Sequence, residues 1–192
     1  MANPQKAPQS ERYVFARPDD IAQDSVSWRD LLVQYNQSPD NNRYGLLRAI
    51  DLYSNDTYRQ LATKVGKKNT YILSAGWGLI PADFLTPAYD ITFSAAADAY
   101  NRRRRKERYC DLRMLPATNQ PVLFFGGKDY VPLFCELTKH VGGPRTVFYN
   151  SATLPTAPGC LLQRFNTSTR TNSHYECVQA FITGEWTGRA RR

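Results

Sequence analysis

Histidine is scarce in this chain and closely paired cysteines are missing, and each shortage removes a class of chemistry. The two histidines are His140 and His174, and the four cysteines are Cys110, Cys135, Cys160 and Cys177. Those cysteines stand too far apart for a Cys-x-x-Cys metal or redox pair, so neither a structural metal nor a cofactor is expected, and the thiols are expected reduced. No apolar run approaches the roughly 20 residues that a membrane span needs. Residues 1–11 carry no hydrophobic signal region, so a cytoplasmic protein without membrane contact is expected. Walker, Gly-x-Ser-x-Gly and metalloprotease signatures are missing too, which argues against nucleotide hydrolysis, elbow-type acyl transfer and zinc proteolysis.

What is present is ample apolar material and an excess of positive charge. Hydrophobic residues make up 42% of the 192, and aromatics 12%. That is enough to bury a core without staples. Twenty-five Lys and Arg stand against 17 Asp and Glu, a net charge of +8. Such a balance favours a polyanionic partner, nucleic acid first. With no repeat or linker inside the body, the expected organisation is a flexible tail over 1–10, a single α/β domain over 11–183, and a basic tail over 184–192.

Four β-branched and aromatic runs read as strands: Tyr13 to Ala16, Thr70 to Ser74, Val122 to Phe125 and Thr146 to Tyr149. Helical periodicity separates them. Tyr58, Leu61, Ala62 and Val65 make one stripe after the Ser54 cap candidate. Tyr130, Leu133, Phe134 and Leu137 make a second after Gly127, and Tyr175, Val178, Phe181 and Ile182 a third after Ser173. Further helices are expected over Ser25 to Tyr35 and from Ser94 towards Arg108. Strands alternating with helices predict a three-layer α/β/α fold with a mainly parallel central sheet of about four strands. Ligands of such sheets sit beyond the carboxyl ends of the strands, so the informative loops follow Ala16, Ser74, Phe125 and Tyr149.

The stretch from Tyr71 to Asp90 runs a strand into Ser74-Ala-Gly-Trp77-Gly, then Pro81, Asp83, Pro87, Tyr89 and Asp90. This segment resembles the central signature of a family of small bacterial and phage proteins related to the peroxide-stress protein YaaA. Ala49-Ile-Asp-Leu-Tyr-Ser54 with Tyr58-Arg59, and Phe125-Gly-Gly-Lys-Asp-Tyr130 with Leu133, are similar to that family's flanking elements. The three motifs occur in order over about residues 44–182. Two positions depart from the pattern: Arg17-Pro18-Asp19-Asp20 replaces a Cys-x-Lys loop, and Gly76 replaces a lysine. The resemblance implies a uracil-DNA-glycosylase-like fold, and by analogy base removal from DNA.

N-glycosidic cleavage passes through an oxocarbenium-like sugar and needs a carboxylate near C1′. Asp90 is the first candidate and Asp83 the second, although either residue type also caps loops. A flipped base needs aromatic faces and an edge reader. Trp77, Tyr89 and Tyr53 are the stacking candidates, with core packing as the alternative, and Asn150 is the edge reader or a turn residue. Ser74 is a candidate for a sugar or phosphate oxygen, and His174 for stabilising a departing base. Gly126, Gly127 and Lys128 lie between a strand and a helix, where amides and an ammonium suit a phosphate. Arg102, Arg103, Arg104, Arg105 and Lys106 form a basic run, with Arg164 and Arg170 as further phosphate candidates. On a helix, four consecutive arginines sweep about 300°, so at least one must turn away from any single phosphate track.

The leading expectation is a metal-independent DNA N-glycosylase acting on a modified base, suited to defence against phage with modified DNA. The alternatives are a noncatalytic DNA-binding stress protein and an RNA- or nucleoside-modifying enzyme.

Overall fold

The computed structural model describes residues 17–53, 55–89, 91–97, 101–167, 169 and 172–185. The expected strand Tyr13 to Ala16, the Ser54 cap, Asp90, Arg170 and most of both tails lie outside these residues. Among these residues the fold is mixed α/β, with four α-helices and several small sheets, one of them parallel. It divides into two compact units, Ala2–Leu112 and Arg113–Arg192.

The first unit begins with β1 (Ile21–Gln23) and β2 (Val26–Ser27), an antiparallel pair. Asp24 and Ser25 join them with positive φ values of 47° and 65°. Two left-handed residues suit the twist of a tight hairpin. Helix α1 (Trp28–Gln37) starts where Ser27 Oγ accepts the Asp30 N–H at 3.1 Å and donates to the Asp30 carboxylate at 2.7 Å. This cap satisfies one of the amide donors that every helix start leaves open, and the Asp30 carboxylate holds the capping hydroxyl in place. The buried face of α1 carries Arg29 beside Leu32, a charged residue on an apolar stripe. Asn36, on the same helix, exchanges hydrogen bonds with the backbone N–H and C=O of Leu85 at 2.7 and 3.0 Å.

Leu85 belongs to β6 (Leu85–Thr86), which pairs antiparallel with β3 (Leu47–Arg48). Helix α2 (Thr57–Val65) follows, its periodic stripe burying Ala62, and ends at Gly66 with a φ of 88°. Then β4 (Tyr71–Ser74) and β5 (Gly78–Pro81) form a hairpin across Ala75, Gly76 and Trp77, and β7 (Leu112–Arg113) extends that sheet on the β5 side. Leu52, Ile72, Trp77, Ile80, Phe84 and Tyr89 form the core of this unit.

In the second unit, β8 (Val122–Phe124), β9 (Arg145–Tyr149) and β10 (Leu161–Arg164) make a parallel sheet in the order β10-β9-β8. Helix α3 (Val131–Leu137) connects β8 to β9, and α4 (Ser173–Thr183) follows β10. Phe124 stacks on Phe134 with ring centroids 4.7 Å apart, and Phe125 on Phe148 at 4.8 Å. A crossover helix laid on parallel strands is the expected way to bury such faces.

Two expectations are corrected here. The strand from Tyr71 to Ser74 belongs to an antiparallel hairpin rather than to the parallel sheet, because Gly78 lets the chain reverse after three turn residues. Its φ is +94°, and a Cβ there would lie 2.6 Å from the backbone N and O of Leu112. Only glycine meets both demands. The helix expected from Ser94 towards Arg108 is not formed over residues 94–97 or 101–108. Thr92 donates its N–H to Asn101 O at 3.0 Å, and Arg103 donates its N–H to Thr92 O at 2.9 Å. The Arg103 amide, committed to this bridge, is not left for a helical i−4 carbonyl.

Candidate functional site

The loop from Ser74 to Gly78 is the polar centre of the first unit. Ser74 is 1% exposed, and its Oγ accepts N–H groups from Gly76 at 3.1 Å and Trp77 at 2.9 Å and the Tyr89 hydroxyl at 2.6 Å. The loop carbonyls point the other way, at two buried guanidinium groups. Arg29 donates to Trp77 O at 2.8 Å, to Gly76 O at 2.9 Å and through Nε to Asp19 at 2.6 Å. Arg103 donates to Ala75 O at 2.9 Å and holds both oxygens of Asp111 at 2.7 Å. A fork of fixed N–H groups suits adjacent carbonyls and a planar carboxylate at once. The second oxygen of Asp19 accepts the Cys110 N–H at 2.8 Å, and Leu112 donates its N–H to Trp77 O at 2.9 Å.

Each arginine also lies on an aromatic face, Arg29 5.6 Å from the Trp77 ring centroid and Arg103 4.1 Å from that of Tyr109. Desolvated cations gain most from such rings. The Tyr109 hydroxyl has its pKa raised, first by burial and then, against the opposing pull of Arg17 and Arg103, by Glu107 and Asp19.

This arrangement fixes the positions of the expected site residues. Trp77 is 3% exposed and meets Tyr89 edge-on at 6.0 Å, so both rings pack inside the unit. Tyr53 is half-buried, 5.0 Å from the ring of Tyr58. Asp83 is exposed on the turn after β5, close enough to raise the pKa of the half-buried Tyr71 hydroxyl in addition to the larger effect of burial.

The basic run divides sharply. Arg103 is 4% exposed and turned inward, Arg102 is half-buried, while Arg104, Arg105, Lys106 and Arg108 are exposed. Glu107 donates its N–H to Arg104 O at 3.0 Å, and its carboxylate accepts the Arg104 N–H at 2.9 Å. The result is a closed turn with Arg105 and Lys106 at its tip. Arg103, the residue just before that turn, anchors it to the 74–78 loop through Ala75 O and to Asp111 through both carboxylate oxygens.

The remaining candidates belong to the second unit. Asn150 donates to Thr169 O at 3.1 Å, which fastens the loop that precedes α4. The hydroxyls of Thr167 and Thr169 both donate to Glu176, and they lower the pKa of that carboxyl. His174 packs against Tyr175 at 4.1 Å, and burial pushes its pKa down to about 4. Its ring is therefore neutral at pH 7. Gly126 lies against the Phe124 ring, which a Cβ would approach within 2.4 Å, while Lys128 and Arg164 are exposed. Ser74, Trp77, Tyr89, Tyr53, Asp83 and the basic turn thus belong to one unit, and Asn150, His174, Lys128 and Arg164 to the other.

Sequence reasoning passed over Asp19, Arg29, Tyr109 and Asp111. The signal for Arg29 was its place three residues before Leu32 on the apolar stripe of α1, where a charge needs a buried partner. No cluster of metal-ligating side chains occurs among the described residues, and no helix described is long and apolar enough to cross a membrane. Neither protein-family models, nor curated proteins, nor solved structures give a significant match to this chain.

Proposed function

We propose that this chain binds DNA through the turn from Arg104 to Arg108, with Arg105 and Lys106 reaching phosphates. The observation that carries this reading is the division of the basic run: one arginine is spent on anchoring the turn, and the cations that follow it are exposed. Phosphate contacts need charge on a held backbone more than they need a pocket, and they supply most sequence-independent affinity. The chain's net charge of +8 adds long-range attraction. In this reading the protein is a noncatalytic DNA-binding protein of the YaaA-related type. The burial of Ser74, Trp77 and Tyr89 supports it, since interior rings offer no open face to a flipped base.

A second reading, the metal-independent N-glycosylase, is favoured by the exposed carboxylate of Asp83 on the turn after β5. Asp90 remains its first catalytic candidate by sequence. The uracil-DNA-glycosylase-like three-layer fold belongs to this reading, supported by the parallel β8-β9-β10 sheet and the crossover helix α3.

One experiment separates the two. Purified protein is incubated with unmodified and base-modified duplexes, then assayed for retarded DNA and for alkali-labile breaks. Salt-sensitive retardation without breaks supports the binding protein. Breaks that disappear in Asp90→Asn or Asp83→Asn, with retardation kept, support the glycosylase instead.

A further inference from the structure

Two of the four cysteines, 25 residues apart in sequence, meet in the second unit. Cys135 is buried on α3, Cys160 is half-buried just before β10, and their sulfurs are 3.7 Å apart. A disulfide requires about 2.05 Å, so each side chain has less than an ångström or so to travel.

The surroundings hold the two sulfurs together. Arg145, the first residue of β9, donates to Cys135 O at 3.2 Å and to Thr138 Oγ at 3.3 Å, and its other terminal nitrogen donates to Gly159 O at 3.0 Å. One guanidinium thus ties the backbone of α3 to the residue before Cys160. Gly159 permits this approach, because a Cβ there would lie 2.4 Å from the Arg145 nitrogen, and its φ of +70° suits glycine. Cys160 closes a turn by donating its N–H to Ala157 O at 3.1 Å. Cys177 is buried on α4, and Cys110 belongs to the other unit.

We propose that Cys135 and Cys160 form a reversible disulfide that staples α3 to the entry of β10 when the chain meets a small-molecule disulfide oxidant. Cys160, the more exposed of the two, gives up its proton and attacks one sulfur of the oxidant, releasing the first small thiolate. The Cys135 sulfur then attacks the Cys160 sulfur and expels the second small thiolate. Two protein thiols are oxidised, one small disulfide is reduced, and the two protons pass to the released thiolates. Burial, with the Cys160 neighbour, pushes the Cys135 thiol up to about 12 although Arg145 pulls the other way, so the second step is slow at neutral pH. The closed loop contains β9 and the whole β9–β10 connection.

The test uses the full chain carrying Cys110→Ser, treated with oxidised glutathione and followed by intact mass and peptide mapping. The expected result is a mass decrease of about 2 Da, a single link between the Cys135 and Cys160 peptides, Cys177 still a thiol, and reversal by dithiothreitol. The oxidised form should melt higher, since the link restricts the unfolded chain. Adding Cys135→Ala should instead leave a stable glutathione adduct on Cys160. In the wild-type chain the same link should appear, whatever adduct Cys110 takes. A lasting adduct on Cys160 with Cys135 present, a link involving Cys177, or an unchanged mass would overturn the proposal.

Discussion

Arg103 stands inside the basic run whose residues read as phosphate candidates, yet it is among the most buried polar residues of its unit. Its fork makes three bonds below 3 Å, two of them to Asp111. Removing one partner of such a pair strands the other charge in a dry site. Arg103→Ala should therefore lower stability by roughly 3–5 kcal/mol, read as a shifted urea midpoint, while Arg105→Ala should change it by less than about 0.5 kcal/mol. Equal effects of the two would contradict the division of the run. His174 makes a second residue-scale prediction. Its folded pKa, about 4, lies below the ordinary 6.5. The unfolded chain therefore binds the proton first as the pH falls. Stability from this group is complete above about pH 6.5, declines between 6.5 and 4, and changes no further below that. Urea midpoints from pH 7 to 4 should fall, as the chain loses up to about 3 kcal/mol of stability on this account, and His174→Gln should flatten that part of the curve.

At the scale of elements, the hairpin β4–β5 depends on Gly78. A methyl group there meets the Leu112 backbone and forces a side chain into positive φ. Gly78→Ala should cost roughly 2–4 kcal/mol and disturb the β5–β7 pairing, seen as lost amide protection at Leu112. Ordinary protection at Leu112 in that variant would show that the close approach is dispensable. The strands at Tyr71–Ser74, Val122–Phe124 and Arg145–Tyr149 were legible because short buried strands carry their signal locally, in runs of branched and aromatic residues. The helices at Thr57–Val65 and Ser173–Thr183 were legible from their stripes. Two-residue strands such as Leu47–Arg48 and Leu112–Arg113 carry no period, and only their partners make them strands. The segment after Ser94 misleads for the opposite reason. Alanines and arginines favour helix, but the Thr92–Asn101–Arg103 bonds and the inward pull on Arg103 outweigh a few tenths of a kcal/mol per residue. Within the candidate site, Ser74 and Trp77 stood out in sequence, but Arg29 and Arg103, which hold the loop carbonyls of Gly76 and Ala75, are 47 and 28 residues away from them, beyond any local pattern.

For the molecule as a whole, the excess of eight positive charges and the exposed Arg104–Arg108 turn lead to the claim that DNA is the partner. The direct measurement is the salt dependence of duplex binding by the wild type and by a variant with Arg104, Arg105 and Lys106 all changed to alanine. Each phosphate contact contributes about 0.9 to the slope of log affinity against log salt. The account predicts detectable wild-type binding that weakens steeply with salt, and a variant that unfolds at the same urea concentration but has a slope shallower by roughly 2–3. Binding with an unchanged slope in the variant, or no wild-type binding at low salt, would contradict it.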